Sequence, residues 1–457
     1  MKKTLLEIAT LIDAQLNQAT FNETKVTGVC FDTRQIKHGD LFVPFVGETR
    51  DGHSFVRQAV EAGAAASFWQ MDVPNPPDDV PLLLVENTAD AFELFAKKYL
   101  AEVAPKVVAI TGSNGKTTTK DITRAIMSSR YKVHATSGNF NNHIGLPYTI
   151  LTMPEDTEVA ILEMGMNHRH EIEKLTKIAR PDIAIITNIG EAHIEYLGSR
   201  EEIAKAKLEI VLGLKRDGLL IYPHEEPLIA QQLSSDIQTE TFGRENTADI
   251  YPLKITTETE GTKFTTNLDP ETSLYVPIIG EHNVFNTMAA LLAARKLGID
   301  SLDAKVALSG MERSKSRLEW LEAPQGTKIL NDSYNSSPTA LKAVLTTFMN
   351  MDAAGKRKIA VVADMLELGK DAEKFHRESG EVIEAQKLDE VFAYGEAMQA
   401  FAEAASERIG AEHVHYFTSK DELEKALLQA VTGNEWVLFK GSYGMGLKDV
   451  VEKLMIG

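Results

Sequence analysis

The chain has 457 residues, 43% of them hydrophobic and 25% charged, with a formal net charge of −18. That composition is ordinary for a globular protein of two to four domains and excludes a disordered chain. The acidic balance excludes nucleic acid as the main partner, because phosphate backbones select basic surfaces, but a local Arg/Lys cluster could still bind a small anion. The N-terminus "MKKTLLEIATLIDAQL" begins with two lysines, yet Glu7 and Asp13 interrupt the apolar run. Leu5, Ile8, Ile12 and Leu16 recur at helical spacing, so an amphipathic first helix is expected rather than a leader. No run approaches the roughly 18 apolar residues needed to span a bilayer, and a cytoplasmic protein without membrane insertion is expected.

The first block, residues 1–97, holds short elements. "VTGVCFDT", "GDLFVPFVG" and "PLLLVE" read as strands, "HSFVRQAVEAGAAA" as a helix, and "VPNPPDDVP" as a surface loop. Cys30 is the only cysteine, so no intramolecular disulfide exists; in "VCF" it reads as a buried strand residue, not a nucleophile. In residues 98–312, "KVVAIT", "KVHAT", "EVAILEMG", "DIAIITNIG" and "GLLIYP" are apolar strands with helices between several of them, which predicts a parallel sheet covered on both faces. Residues 249–279 alternate apolar and polar and predict antiparallel strands, followed by the helix "NVFNTMAALLAARKLG". The last block, 313–457, repeats the α/β pattern with "TKILNDS", "KIAVVADM", "EVFAYG", "HVHYFT" and "EWVLFKG", separated by helices such as "SPTALKAVLTTFM". The expected class is therefore α/β, with a central parallel-sheet domain and a second open parallel sheet, Rossmann-like, at the C-terminal end.

The stretch "AITGSNGKTTTK" carries the clearest chemistry. Its glycines sit closer than in the usual G-x-x-x-x-G-K-[ST] loop, since only Ser113 and Asn114 separate Gly112 from Gly115. A strand, a turn without bulky side chains and a helix start still follow in order. Backbone N–H groups near Asn114, Gly115, Lys116 and Thr117 can point at phosphate oxygens. Lys116 can reach terminal phosphates and the Thr117 hydroxyl can bind Mg²⁺. Glu163 ends one predicted strand and His193 follows another, where loops leave a parallel sheet at its ligand-binding edge. Each alone reads equally as a solvated strand end or a loop histidine; together, beside the P-loop strand, they point to a Mg²⁺ site. "KGSYGMGLKDVV" also reads as strand, Gly-rich loop and helix, but its glycines do not form G-x-G-x-x-G, so it reads as a tight loop that could line an acceptor pocket.

"TGSNGKTTT", "LEMGMNHRHEI", "TNIGEAHIEYLGSREEIAKAKLEI", "GEHNVFNTMAA" and "NDSYNSSPTAL" together resemble the Mur ligase family of bacterial peptidoglycan synthesis, over nearly the whole chain. The short loop spacing is that family's own pattern. The resemblance implies three domains: a UDP-sugar-binding domain at 1–97, a central ATP-binding P-loop domain at 98–312, and a Rossmann-like domain at 313–457 that takes the incoming amine. It implies an ATP site at Gly112, Ser113, Asn114, Gly115, Lys116, Thr117 and Thr118, with Asn283 and Asn286 near the adenine and Arg317 and Asp332 reaching the γ-phosphate and ribose. It implies two Mg²⁺ ions held by Thr117, Glu163, His193 and Lys207, the last carbamylated. Without the family Lys207 reads as solvated helix surface. Lys116, His193 and Lys207 would be the catalytic set. "FDTRQIKHGD" is similar to the UDP-sugar domain and makes Thr33 and Arg34 candidates for the uracil; "TSGNFNNHIGLP" is similar to the segment facing the muramoyl substrate, with Asn139 and Asn142 as candidates.

Two members of the family share such an N-terminal block. One adds the third residue, lysine or diaminopimelate, and typically carries an Asp-Asn-Pro-Arg-like motif, which this sequence lacks. "VVADMLELG" and "NDSYNSSPTAL" resemble instead the member that joins D-Ala-D-Ala to UDP-N-acetylmuramoyl tripeptide. The expected partners are these two substrates, on a monomer. A P-loop NTPase or kinase, and a non-catalytic UDP-sugar binder, are the readings from other classes.

Overall fold

The computed structural model describes residues 1–311 and 315–456. The boundary expected at 312/313 therefore lies outside the described residues, and residues 97 and 98 fall inside the helix Thr88–Val103. Two six-stranded sheets dominate, joined by a five-stranded N-terminal sheet and a three-stranded antiparallel one.

The central sheet is parallel throughout. Its strands run, in spatial order, Gln238–Phe242, Leu219–Pro223, Ile183–Ile186, Lys106–Thr111, Val159–Glu163 and Val133–Ala135. Lys106–Thr111 sits inside the sheet because it is apolar on both faces. Val108 and Ile110 pack with Ile122, Ile126 and Met288. Val107 and Ala109, one residue out of phase, pack with Ile172, Leu175 and Ile203 on the other side. The period-2 alternation thus feeds two separate cores. The second core continues through Phe92, Phe95 and Tyr99 into the N-terminal sheet, so the two share one apolar mass.

The C-terminal sheet runs Glu319–Glu322, Lys328–Asp332, Glu435–Lys440, Arg357–Ala363, Glu390–Tyr394 and Val414–Phe417. Five strands are parallel; the edge strand Glu319–Glu322, which was not among the expected strands, pairs antiparallel with Lys328–Asp332. The α/β class with parallel sheets is as expected. Local details differ. The first helix stops at Ile12, where Asp13 turns left-handed, and Leu16 belongs to a two-residue strand paired with Leu83. The expected helix 53–66 breaks into Gly52–Phe55 and Val56–Glu61, and its Ala-rich tail enters the unforeseen strand Ala66–Gln70. No helix among the described residues is long and apolar enough to cross a membrane.

Candidate active site

Glu163 and Thr111 end neighbouring strands flanked by Ile186, so the loops after all three converge on one edge of the central sheet. The loop after Thr111 is short because the adjoining loop leaves it no room. At Gly112, φ is +150°, and a Cβ would lie 1.8 Å from Thr187 Oγ1. At Gly115, φ is +79°, and a Cβ would meet Asn286 Oδ1 at 2.8 Å. Both positions therefore require glycine. The segment 187–190 then pins the loop: Ser113 N donates to Asn188 O at 3.1 Å, Asn114 N to Asn188 Oδ1 at 2.9 Å, and Gly190 N to Ser113 Oγ at 2.9 Å. The Asn114 amide, expected to face phosphate, is thus committed inside the protein. The following helix, Lys116–Met127, has no side-chain cap, which leaves its first-turn amides open to an anion.

Lys116 Nζ folds back onto the Gly112 carbonyl at 2.8 Å, and burial pushes its pKa down. The Glu163 carboxylate is buried between two donors: Thr117 Oγ1 at 2.9 Å and Asn141 Nδ2 at 2.9 Å. His193 is left-handed, with φ +66°, and burial pushes its imidazole pKa down to about 3. Its Nδ1 approaches Glu367 Oε2 to 2.6 Å but is not aligned for a hydrogen bond there, and makes none. Lys207 is 1% exposed, with no ion pair or hydrogen bond among the described residues. Burial first, and Lys116 second, push its pKa well down.

These groups open onto a cavity of about 970 Å³. Ser113, Asn114, Gly115, Lys116, Thr117, Thr118, Asn139, Asn142, Glu163 and His193 line it from the central side, with Asn283 and Asn286. Arg317 and Asp332 line it from the C-terminal side. Gly112 contributes its carbonyl rather than a wall, and Lys207 lies behind the wall, within electrostatic reach of His193 and Lys116. Thr33 and Arg34 are not on this cavity; they sit in a short turn of the N-terminal unit, where Asp32 grips the Arg34 guanidinium through two nitrogens.

Asn283 and Asn286 are less free than the sequence suggests. Asn286 Nδ2 donates to Asn283 Oδ1 at 3.0 Å, and Asn283 Nδ2 donates to Ile279 O at 2.8 Å. The adjoining His282 is pushed down to about 4 by burial. Arg317 lies 4.2 Å above the Tyr334 ring. Asp332 pairs with the buried Lys440 at 2.7 Å, and Lys440 also donates to Asn335 O at 2.6 Å. Lys440 stands on the cavity wall although "KGSYGMG" read as a tight loop. Its only sequence signal is a lysine ending an otherwise apolar strand.

A second cavity, about 510 Å³, adjoins the first and shares Gly138, Asn139, His193, Tyr334 and Asn335 with it. Ser442, Tyr443 and Gly444 of the Gly-rich stretch line it, as does Glu367; Asp364 and His376 do not. Ser336 is buried on its wall, with an Oγ that has no hydrogen-bond partner. The two sheets meet here: Ser337 Oγ donates to Asn114 Oδ1 at 2.9 Å, and Thr339 Oγ1 to Glu191 Oε2 at 2.7 Å.

Among the described residues no group of three or more His, Cys, Asp and Glu side chains gathers around a common point. Mg²⁺ does not require one, because it is commonly held by one or two carboxylates together with substrate phosphates and water. A buried carboxylate beside a hydroxyl at the foot of an uncapped helix start fits that requirement.

Fold and cavity together define a nucleotide-cleft protein of the P-loop α/β class. The chain matches the Mur ligase family catalytic domain at residues 25–100, the Mur ligase middle domain at 110–294 and the Mur ligase glutamate ligase domain at 316–443. It belongs to the Mur ligase family, in the three-domain architecture of that family. It is 45% identical over 455 residues to the UDP-N-acetylmuramoyl-tripeptide–D-alanyl-D-alanine ligase of Bacillus subtilis (strain 168), covering 100% of this chain and 99% of that one. The Escherichia coli (strain K12) ligase of the same name is 32% identical, over 99% and 98%. Among solved structures, MurF from Acinetobacter baumannii superposes with a TM-score of 0.89 at 28% identity, covering 100% and 99%. MurF ligase from Thermotoga maritima in complex with ADP gives 0.81 at 27%, covering 94% and 97%.

Proposed function

We propose that this protein is an ATP-dependent ligase that joins D-Ala-D-Ala to UDP-N-acetylmuramoyl tripeptide, in cytoplasmic peptidoglycan precursor synthesis. The observation that carries the reading is one cavity in which an uncapped helix start, Lys116 and Glu163 face Arg317 and Asp332 from the C-terminal side. Full-length likeness to the B. subtilis ligase supports this choice over the related enzyme that adds the third residue.

A carboxylate is a poor electrophile with a poor leaving group. Transfer of the ATP γ-phosphoryl to the terminal carboxylate of the tripeptide gives an acyl phosphate and ADP. The D-Ala-D-Ala amine attacks its carbonyl, loses a proton, and inorganic phosphate departs as the amide forms. The chain's task is positioning and charge neutralisation. First-turn amides of Lys116–Met127 hold phosphate oxygens, and Lys116 swings from the Gly112 carbonyl to the transferring group. Arg317 and Asp332 fix the nucleotide from the C-terminal side, which also excludes water from the acyl phosphate. Mg²⁺ at Thr117, Glu163 and His193 would offset phosphate charge. Lys207 suits carbamylation: with no counter-ion among the described residues, burial pushes its pKa well down and so favours the neutral amine, and a carbamate there would supply an anionic oxygen toward a second Mg²⁺.

Residues 1–97, with Thr33 and Arg34, would hold the UDP end, 98–312 the ATP, and 313–457 the dipeptide. Asn139 and Asn142 would line the path of the muramoyl tripeptide, and the second cavity would receive D-Ala-D-Ala. We read the protein as a cytoplasmic monomer. Incubation with ATP, Mg²⁺, UDP-muramoyl tripeptide and D-Ala-D-Ala tests this. A product heavier by the dipeptide less one water is expected. A product formed only from UDP-muramoyl dipeptide and a free diamino acid would assign it to the third-residue enzyme, and phosphate release without an amide would make it a plain NTPase.

A further inference from the structure

Glu367 stands in a loop off the C-terminal sheet but touches His193, in a loop off the central one. Its loop leaves the strand Arg357–Ala363 and is tied down by three separate elements. The Asp364 carboxylate accepts from Met398 N at 2.8 Å, Met365 N donates to His376 Nε2 at 2.9 Å, and Leu366 N donates to Ser442 Oγ at 2.9 Å. The loop then docks on the segment after His193: Glu195 N donates to Glu367 O at 3.1 Å, and a Cβ on Gly369 would lie 3.3 Å from Glu195 Cα. Glu367 and His193 both adopt left-handed backbone, with φ +63° and +66°, a conformation that costs a non-glycine residue and persists only where its surroundings enforce it. The outcome is a carboxylate oxygen 2.6 Å from His193 Nδ1, an atom with no hydrogen-bond partner among the described residues.

We infer that Glu367 is a positioning residue for His193: from the C-terminal sheet it fixes the imidazole that faces the cation side of the nucleotide cavity. This rests on the cation reading of His193 given above. A metal-binding histidine works best when its second ring nitrogen is held by a carboxylate, which sets the tautomer and the ring plane. The present contact is close, at 2.6 Å, though not aligned as a hydrogen bond. Glu367 also lines the second cavity, which among the described residues has no lysine or arginine on its wall. The same side chain therefore faces the proposed acceptor space and braces a proposed cation ligand.

Mn²⁺ binding to the full-length protein with ADP, read by the loss of the free-ion electron paramagnetic resonance signal, tests this without turnover. Glu367→Ala should weaken Mn²⁺ binding by roughly 10–100-fold. Glu367→Gln, which keeps an acceptor oxygen, should retain most of the affinity. ADP affinity without metal should be unchanged in both, which also controls for folding. Wild-type Mn²⁺ binding in Glu367→Ala, or a Glu367→Gln variant as weak as Glu367→Ala, would overturn the inference. His193→Ala separates the two levels. If it binds Mn²⁺ like the wild type, the cation reading falls and this inference with it. If it loses Mn²⁺ while Glu367→Ala does not, only the inference falls.

Discussion

The two large sheets each end an inner strand in the same local device, a glycine-rich turn followed by a helix. In the central sheet it is Lys106–Thr111 leading to Lys116–Met127; in the C-terminal sheet it is Glu435–Lys440 leading to Leu447–Ile456. What differs is where the lysine stands. Lys116 follows the turn and opens the helix, beside uncapped amides, with only backbone carbonyls as partners. Lys440 precedes its turn and is bound to Asp332 and Asn335. The second turn is consumed as well, since Ser442 Oγ accepts from Leu366 N. Both turns are pinned by their neighbours; the first differs in leaving an uncapped helix start and a lysine paired to no carboxylate among the described residues, as a phosphate cradle requires.

Substitutions at the two lysines should separate these roles. Lys116→Ala is expected to lower kcat by about 10³-fold, as when a principal charge-stabilising donor is lost, with little loss of stability because no carboxylate is left unpaired. Phosphate release and a melting curve measure both, and a variant with near-normal turnover would remove Lys116 from the mechanism. Lys440→Met should do the reverse in emphasis. It strands the half-buried Asp332, so a stability loss of about 3 kcal/mol is expected by denaturant titration. An unchanged midpoint would mean that Asp332 finds water or another donor, and the Lys440–Asp332 pair would not be a brace.

The glycines sharpen the same contrast at smaller scale. Gly115→Ala combines a left-handed φ of +79° with a Cβ 2.8 Å from Asn286 Oδ1. It should cost about 1–3 kcal/mol and weaken ADP binding, measured by calorimetry. In the second turn Gly444 lacks a positive φ, and a Cβ there meets only Leu366 Cδ1 at 3.1 Å, the end of a movable side chain. Gly444→Ala should stay within about 0.5 kcal/mol. Equal costs at the two positions would show that the turns are under the same constraint after all.

Much of this was readable from short-range pattern. The apolar run "KVVAIT" names its own strand, and Glu163 and His193 declare themselves by standing where loops leave such strands. What escaped depends on partners far along the chain. Nothing near Asn114 reveals that Asn188, 74 residues on, takes its amide. Lys440 becomes meaningful only once parallel pairing sets it opposite Asp332. The strand Ala66–Gln70 was hidden because the preceding alanines carry helical periodicity past the point where the helix ends, at Glu61. Glu367, like Asp364 and His376, reads only as a candidate near the acceptor pocket that the sequence does not place, until the fold brings it against His193.

A further effect is expected on pH dependence, and it appears in both halves. His282, on the nucleotide cavity, is pushed by burial to about 4 from an ordinary value near 6.5, and burial also pushes down His376, on the helix Ala372–Gly380 of the C-terminal half. In each case the unfolded chain takes up a proton that the folded one refuses. Stability is therefore full above about pH 6.5 and falls as pH drops toward 4, by at most about 1.4 kcal/mol per pH unit for each group. For His282 the loss stops near its folded value, below which both states are protonated. His282→Asn should flatten part of that slope between pH 7 and 5 in urea titrations while leaving the His376 share in place. A variant whose slope matches the wild type would mean that His282 is solvated enough to titrate normally, and the acid sensitivity would then rest on the other buried histidines, His193 and His376 among them.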